Sequence, residues 1–481
     1  MNIKLENPNL KIPGISQNSY RDQISILKDE KKIDKLALHK PCKINDGIIP
    51  IDYFNDLESY SIGDQESSCS FIPASGSATR MFNIESHEEY FIKNIKKLPF
   101  FNIIKEDYMQ KKKGIIDSLK QKDFKKFNTI YSQILQKFIN LPKAILPLHK
   151  INDFHISPIE EIVFLNSLLS KNRKIYLTIP SGYQDKIYKN LNESEFLKIN
   201  KINFEDNLDF SFQSIKTNSI CLLDNNELLK SSDGNIYTHP SGHGALLENI
   251  NNIKEKFFYI HNIDNICPNN FSRRILNIKK MNKIISFIKL NFDKILNNCL
   301  KNDSKSIESD NFYNTFIKNF LPNIYKQNLD SNDIQSLAIK LNRPLRVCGF
   351  IQDKNSKGGK PFWVKDKNDI SLQIVEESQI DLNDSSHKKL WNQSIFFNPV
   401  EMVCCNRDFN DNKFNLLNFS NQRQHMIANK KIFGHEVRFI EKPGLWNGSM
   451  YNWNSVFIEI EPESFTPVKN ICDLFLDIHQ P

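Results

Sequence analysis

The sequence predicts an α/β fold with a largely parallel sheet, on three observations. Short apolar runs end in small-residue loops that lead on to helical stretches: Cys69–Ile72 before Pro73–Phe82, Ile175–Pro180 before Ser181–Gln184, and Phe257–Ile263 before Asp264. Between the first two lies a long helical pattern, Glu85–Leu141, able to cover a sheet face, and from Arg343 the strand texture returns. With 481 residues, 40% of them apolar, and only 15 Gly and 20 Pro, the chain can bury a sizeable core and is no disordered polyelectrolyte or linker.

In chain order, residues 1–67 read as an N-terminal appendage with one helical pattern, Ser19–Leu38, where Ile24, Leu27 and Ile33 recur at near-helical spacing. Residues 68–270 read as a first α/β half. In open α/β sheets ligands collect at the carboxyl ends of strands, where its small-residue loops fall. Residues 271–342 carry Ile, Leu and Phe at three- and four-residue spacings among Lys and Asn, the pattern of a helical insertion. Residues 343–481 return to strands, at RPLRVCGFI, PFWVKD, SLQIVEES, EVRFIE and SVFIEIE, and form a second α/β half.

Charge narrows the function. The 64 Lys+Arg against 56 Asp+Glu leave +8, mild for this length, and no basic stripe is interleaved with aromatics. That balance suits small anionic substrates and argues against a nucleic-acid partner. The first residues, MNIKLENPNLKIPG, lack the apolar core of a signal peptide, and no run is long enough to span a bilayer. The expectation is a cytoplasmic protein with no membrane partner. Nine scattered cysteines, with only Cys404 and Cys405 adjacent, point to reduced thiols, that pair buried and inert. His239 and His243 lie in HPSGH, whose Pro and Gly exclude the helix of a zincin site.

The sharpest local feature is the loop after Cys69–Ile72. Ser75, Gly76, Ser77 and Ala78 let backbone amides approach an anion, and a following helix N-terminus bearing Arg80 adds positive potential. It is neither a Walker loop, since no GK[ST] follows, nor GxGxxG. An ordinary strand-to-helix turn uses the same small residues.

Other segments fall into a consistent order: PKAILPLHK (142–150), SFQS (211–214), HPSGHGALLENI (239–250), IHNIDN (260–265) and FTPVKN (465–470). That order resembles the nucleotide-sugar pyrophosphorylases, the UDP-sugar pyrophosphorylase branch in particular. The fold implied is a Rossmann-like, glycosyltransferase-A type mixed sheet. The combination of PASGSATRMF, GHGALLEN, NIDN, VCGF, FWVKD and LWNGSM is moreover similar to an uncharacterised bacterial family, domain of unknown function 4301, which by itself implies no activity.

The resemblance implies a Mg²⁺-dependent nucleotidyltransferase that joins a nucleoside triphosphate and a sugar 1-phosphate into a nucleotide sugar, releasing pyrophosphate. Arg80, Lys143 and Lys469 would be catalytic. Ala74, Ser75, Gly76, Ser77, Ala78 and Thr79 would cradle the phosphates, and Gln213, Gly242, His243 and Gly244 would hold the base. Asn265, Glu376, Glu377 and Asn447 would face the sugar, and Asp264 would bind Mg²⁺. Ser75 and Ala78 replace glycines of the family loop, which favours an alternative: a non-catalytic nucleotide or nucleotide-sugar binder of the same fold. Two further expectations follow from residue chemistry. Trp446 and Trp453 are packing residues, and Gly242→Val blocks the base while leaving the fold largely intact.

Overall fold

A computed structural model describes residues 12–29, 33–59, 68–74, 81–353, 358–366 and 369–481. The chain forms two compact units that interleave along the sequence. One comprises residues 1–68, 213–260 and 280–461, the other residues 69–212, 261–279 and 462–481.

The first unit is organised by a mixed sheet. Lys43–Ile44, Gly47–Ile49, Asn454–Glu459 and Leu345–Gln352 run parallel in that order, then Met402–Cys405 and Phe257–Ile260 continue with antiparallel pairings. Leu345–Gln352 is buried at every position but its last, as expected of a strand covered on both faces. Two antiparallel sheets flank it: Ala37–Pro41, Lys360–Asp366 and Asp369–Val375 form one, and Leu222–Leu223, His435–Glu441 and Met426–Ile432 the other.

The second unit holds three parallel strands, Ser68–Pro73, Lys174–Thr178 and Leu208–Ser211. Pro158–Leu169 covers them with Ile159, Ile162 and Val163 against Ile175 and Leu177. Its start carries a capping box from Ser157 and Glu160 with Pro at the first turn, a strong local stop for the preceding chain. Phe101–Lys120 and Phe124–Ile134 build a separate core on Ile104, Ile115, Phe127 and Tyr131. Beneath the first strand Arg173 donates to the carbonyl of Cys69 (2.9 Å) and, through Nε, to Ser70 Oγ (3.2 Å) and Asn166 Oδ1 (3.1 Å). Those bonds fix the strand from which the small-residue loop departs.

Two expectations are corrected. The helix read over Ser19–Leu38 is Gln17–Lys28, closed by extended backbone at Asp29. Beyond it Ala37–Pro41 is a strand, because Leu36 and Leu38 are recruited to a core with Phe362 and Val364, a long-range contact that local periodicity does not contain. The sheet of the first unit is mixed, as the resemblance implies, because Met402–Cys405 inserts antiparallel to both its neighbours, whereas the texture of runs and loops alone points to a largely parallel one. The helical reading of residues 271–342 holds, with Phe271–Leu300 and Ser331–Leu341 as its longest members. All nine cysteines are buried, and none forms a disulfide. Among the described residues no helix is long and apolar enough to cross a membrane.

Candidate functional site

In the second unit, three segments distant in sequence converge. Pro142, extended, starts the short 3₁₀ turn Lys143–Ile145, which holds the Lys143 side chain largely buried. Lys143 Nζ donates to the carbonyl of Val468 and lies 3.5 Å from Asp264 Oδ2. Val468 N–H in turn donates to the carbonyl of Asp264 at 2.9 Å. Next to Asp264, the buried Asn265 accepts from Thr466 N–H at 3.0 Å and forms an isolated bridge with Pro467. Lys469 is exposed, its ammonium 5.3 Å from the centre of the Phe465 ring, and its backbone N–H donates to Asp473 Oδ2 at 2.7 Å.

Electrostatics here follow from burial. Desolvation pushes the Lys143 ammonium below its ordinary value; Asp264 and Asp473 oppose that shift, and the charge of Lys469 adds to it. Two cations, Lys143 and Lys469, that repel one another stand with two carboxylates, Asp264 and Asp473, so charge here is formally balanced and the exposed Lys469 is the ammonium most open to an anion. At the other edge Ala74 ends the strand Ser68–Pro73, its N–H bonded to the Thr178 carbonyl at 2.8 Å. Ser75, Gly76, Ser77, Ala78, Thr79 and Arg80 lie outside the described residues. The chain beyond them is tied to the C-terminal segment: Ile471 N–H donates to the carbonyl of Met81 (2.9 Å), and Asn470 Nδ2 to that of Asn83.

In the first unit two loops interlock. Gly244 sits so close to Pro443 that a Cβ would fall 2.0 Å from its carbonyl oxygen, and Lys442 N–H donates to the carbonyl of Ser241 at 2.9 Å. His243 stacks on Trp446, ring centres 4.3 Å apart, and its Nδ1 accepts from Leu445 N–H at 3.0 Å. Burial pushes the imidazole down to about 4, with Glu441 opposing. The ring is therefore neutral near pH 7, and with Nδ1 an acceptor the proton is on Nε2. Glu376, half-buried, accepts from the Trp446 side chain, and burial raises its carboxyl above the usual range. Asn447, buried, donates to the carbonyl of Ile374 at 2.9 Å while its Oδ1 has no partner.

Sequence similarity now bears on this geometry. The family described as "Domain of unknown function (DUF4301)" matches residues 4–480. The chain belongs to the DUF4301 family. No curated protein matches it. Solved structures similar to the DUF4301 chain include the UDP-glucose pyrophosphorylase from Leishmania major, known in open and closed structures. It is 12% identical, with 97% of this chain and 78% of that one covered, at a TM-score of 0.45. Another is the uridine diphosphate N-acetylglucosamine pyrophosphorylase from Trypanosoma brucei in complex with inhibitor. It is 13% identical, with 94% and 71% covered, at a TM-score of 0.43.

Of the residues singled out in the DUF4301 sequence, Lys143, Asp264, Asn265 and Lys469 come together in the second unit, and His243, Gly244, Glu376 and Asn447 in the first. Gln213 is half-buried and donates to Thr217 Oγ1 at 3.4 Å. Glu377 is exposed, and its side chain has no hydrogen-bond partner among the described residues, so it stands apart from its neighbour Glu376. One expectation fails. Gly242 has φ +75°, and its Cβ position is 3.3 Å from Glu441 Oε2, so Gly242→Val strains the backbone before it blocks anything. Trp446 packs as expected, stacked on His243, and its side chain also donates to Glu376.

Sequence reasoning passed over the groups beneath the loops. Arg346, fully buried, donates through one terminal nitrogen to the Trp446 carbonyl (2.6 Å) and through Nε to Ser455 Oγ (2.8 Å). Gln424, also buried, accepts from Gln379 Nε2 at 3.0 Å and keeps an unpartnered Nε2. In the second unit, His149 bonds Glu161 through Nδ1 and His479 Nδ1 through Nε2 (2.9 Å), with all three side chains buried. The one available signal was a charged residue inside a strand-like run, as with Arg346 in RPLRVCGF.

Proposed function

We propose that this DUF4301 protein is a nucleotidyltransferase that joins a nucleoside triphosphate to a sugar 1-phosphate, giving a nucleotide sugar and pyrophosphate. The observation that carries the reading is the convergence of Lys143, Asp264 and the segment Val468–Lys469, three motif positions linked by hydrogen bonds within one unit. Both reactants are anionic, so the protein must bring like charges together and stabilise the charge that spreads over the transferring phosphoryl group. Lys143, poorly solvated and aimed by the Val468 carbonyl, is placed to hold a phosphate oxygen. Lys469, exposed beside it, takes the second anion. Arg80 is assigned the departing pyrophosphate and Ala74 to Thr79 the phosphate cradle, both on the sequence resemblance.

No base catalyst is required, because the attacking oxygen belongs to an already ionised phosphate. The neutral His243 fits that requirement as a hydrogen-bond donor through Nε2. Asn447, with an unpartnered acceptor oxygen, and Glu376 on the Trp446 loop suit sugar hydroxyls; Gln213 and the loop at Gly242 suit a base edge.

Asp264 fits Mg²⁺ as a single carboxylate. Among the described residues no three His, Cys, Asp or Glu converge as a metal-binding group. Mg²⁺ is commonly held by one or two carboxylates plus substrate phosphates and water, and when bound it neutralises phosphate charge. Lys143 is the ammonium beside Asp264, at 3.5 Å.

The test is to incubate the protein with Mg²⁺ and pools of nucleoside triphosphates and sugar 1-phosphates, assay pyrophosphate and identify any nucleotide sugar by mass. Product with pyrophosphate supports the enzyme. Nucleotide binding with no pyrophosphate release supports the second reading, a non-catalytic nucleotide or nucleotide-sugar binder, which Ser75 and Ala78 in place of loop glycines favour.

A further inference from the structure

In the second unit the helices Phe101–Lys120 and Phe124–Ile134 form a hairpin whose turn is exposed at seven consecutive residues, Lys120 to Lys126. Four of the seven are Lys, one is Phe and one is Asp. Over residues 101–126 eight Lys stand against four acidic residues, so this stretch carries +4, half of the +8 of the whole chain. Two of the acids are engaged: Asp107 pairs with Lys137 at 3.7 Å, and Asp123 accepts from Lys126 N–H at 2.9 Å as the cap of the second helix. Glu106, exposed, and Asp117, half-buried, lie on the helix before the turn.

Local folding does not call for most of these tip residues. Lys120 suits the negative end of the helix dipole, in the last turn of its helix. Lys122, by contrast, has φ +55°, a left-handed conformation at a helix end where Gly is usual. Its N–H and that of Asp123 close the helix on the carbonyls of Leu119 (3.0 Å) and Ser118 (2.9 Å). Lys125 and Lys126 occupy the first turn of the next helix, which holds no acidic residue, and the positive end of the dipole disfavours cations there. Phe124 continues the buried stripe of Phe127, Tyr131 and Ile134, yet is itself 49% exposed. Each choice costs local stability, and their common product is an aromatic ring among four ammonium groups.

We propose that the tip of this hairpin docks reversibly on an anionic lipid bilayer, with Phe124 at the boundary of headgroups and acyl chains and Lys120, Lys122, Lys125 and Lys126 against the lipid phosphates. Basic residues beside Phe suit such an interface, where apolar burial and attraction to anionic lipid add. Each Lys near an anionic surface strengthens binding by about fivefold. The long Lys stems let the ammonium groups stay at the headgroups while the ring goes deeper. A nucleic acid fits less well. Single strands are held by successive aromatic side chains along a basic groove, whereas here one ring stands at a turn and no Arg lies in residues 101–134. The expectation of no membrane partner rested on signal and spanning segments, neither of which a peripheral contact needs. The inference does not depend on the transferase reading.

The experiment is co-sedimentation of the full chain with phosphatidylcholine vesicles, with and without about one-third phosphatidylserine. Binding is expected to the anionic vesicles only, falling at least about tenfold as salt rises from about 0.05 M to about 0.5 M. Lys122→Gln, Lys125→Gln and Lys126→Gln combined should weaken it by about a hundredfold, and Phe124→Ser by about fivefold. The same change at Lys171, Lys186 and Lys198, exposed elsewhere in the unit, should cost less than about threefold. The triple Lys variant should unfold in urea no earlier than the parent; should Phe124→Ser fail to fold, that triple variant decides alone. No binding to anionic vesicles at low salt, or an equal loss in the control variant, overturns the proposal. Poly(U) bound at least as tightly as the anionic vesicles, and lost with the same three Lys, overturns the lipid assignment in favour of a nucleic acid.

Discussion

Lys143 Nζ stands 3.5 Å from Asp264 Oδ2 while the Val468 backbone bonds both residues: its carbonyl accepts from the ammonium and its N–H donates to the Asp264 carbonyl. The cation proposed for phosphate and the carboxylate proposed for metal are thus held as one assembly. Neither can be altered without changing the electrostatics of the other, and the first two predictions exploit that coupling.

Lys143→Met keeps the length of the side chain and removes its charge. Turnover in the pyrophosphate assay should fall by about a hundredfold or more, the size seen when a donor to developing charge is lost. Urea unfolding should show a moderate loss of stability, because relief from burying an ammonium is offset by the Asp264 carboxylate and Val468 carbonyl left without their donor. Full turnover by this variant would remove Lys143 from the site.

Asp264→Asn should abolish or sharply reduce the response of turnover to Mg²⁺. It has a second signature. Burial already lowers the Lys143 pKa and Asp264 opposes the shift, so its removal lowers that pKa further. Nucleotide binding, which needs charged Lys143, is lost as pH rises through this pKa, so the variant should lose it at lower pH than the parent. An unchanged alkaline limb in binding titrations would show that the two groups do not communicate.

The two glycines of the PSGHG loop should differ. Gly244→Ala brings a Cβ against the Pro443 carbonyl oxygen at 2.0 Å, backbone against backbone, and should cost about 3 kcal/mol or more, at or beyond the usual overpacking range. Gly242→Ala meets only the Glu441 side chain, whose Oε2 is 3.3 Å from the Cβ position and can give way, and pays mainly for φ +75°, about 1–2 kcal/mol. Denaturant midpoints measured side by side test the order; equal losses would contradict the interlocked loops.

Acid should release the C-terminal segment. His479 is held down to about 4 by burial first and by His149 second. Its unfolded value is about 6.5, so between those limits the unfolded chain binds more protons and stability falls as pH falls. His479→Gln removes that proton, so its loss of stability from about pH 6.5 to pH 4 should be smaller than the parent's by up to about 3 kcal/mol. His239, His243 and His425, also held near 4, leave a residual slope. Parallel pH profiles for parent and variant would place His479 outside the network.

The sequence by itself determined the element types where pattern is local and long. Apolar runs such as LRVCGFI and FFYI became buried strands, and the Ile, Leu and Phe spacings of residues 271–342 became helices, since burial on one or both faces is written in residue period. It also marked Lys143, Asp264 and Lys469 as candidates through motif order. Tertiary structure alone decided what each touches. That Val468 rather than any neighbour binds Lys143, and that Glu376 joins the Trp446 loop while Glu377 remains exposed, follows from chain segments far apart in sequence meeting. Such contacts carry no local period. The same holds for Leu38, helical by spacing yet a strand residue in fact, because the hydrophobic contact with Phe362 and Val364 outweighs a weak local propensity. Buried polar groups such as Arg346, His149 and His479 became legible only when their partners were in place, since a polar residue is stable inside a protein through the bonds its surroundings complete.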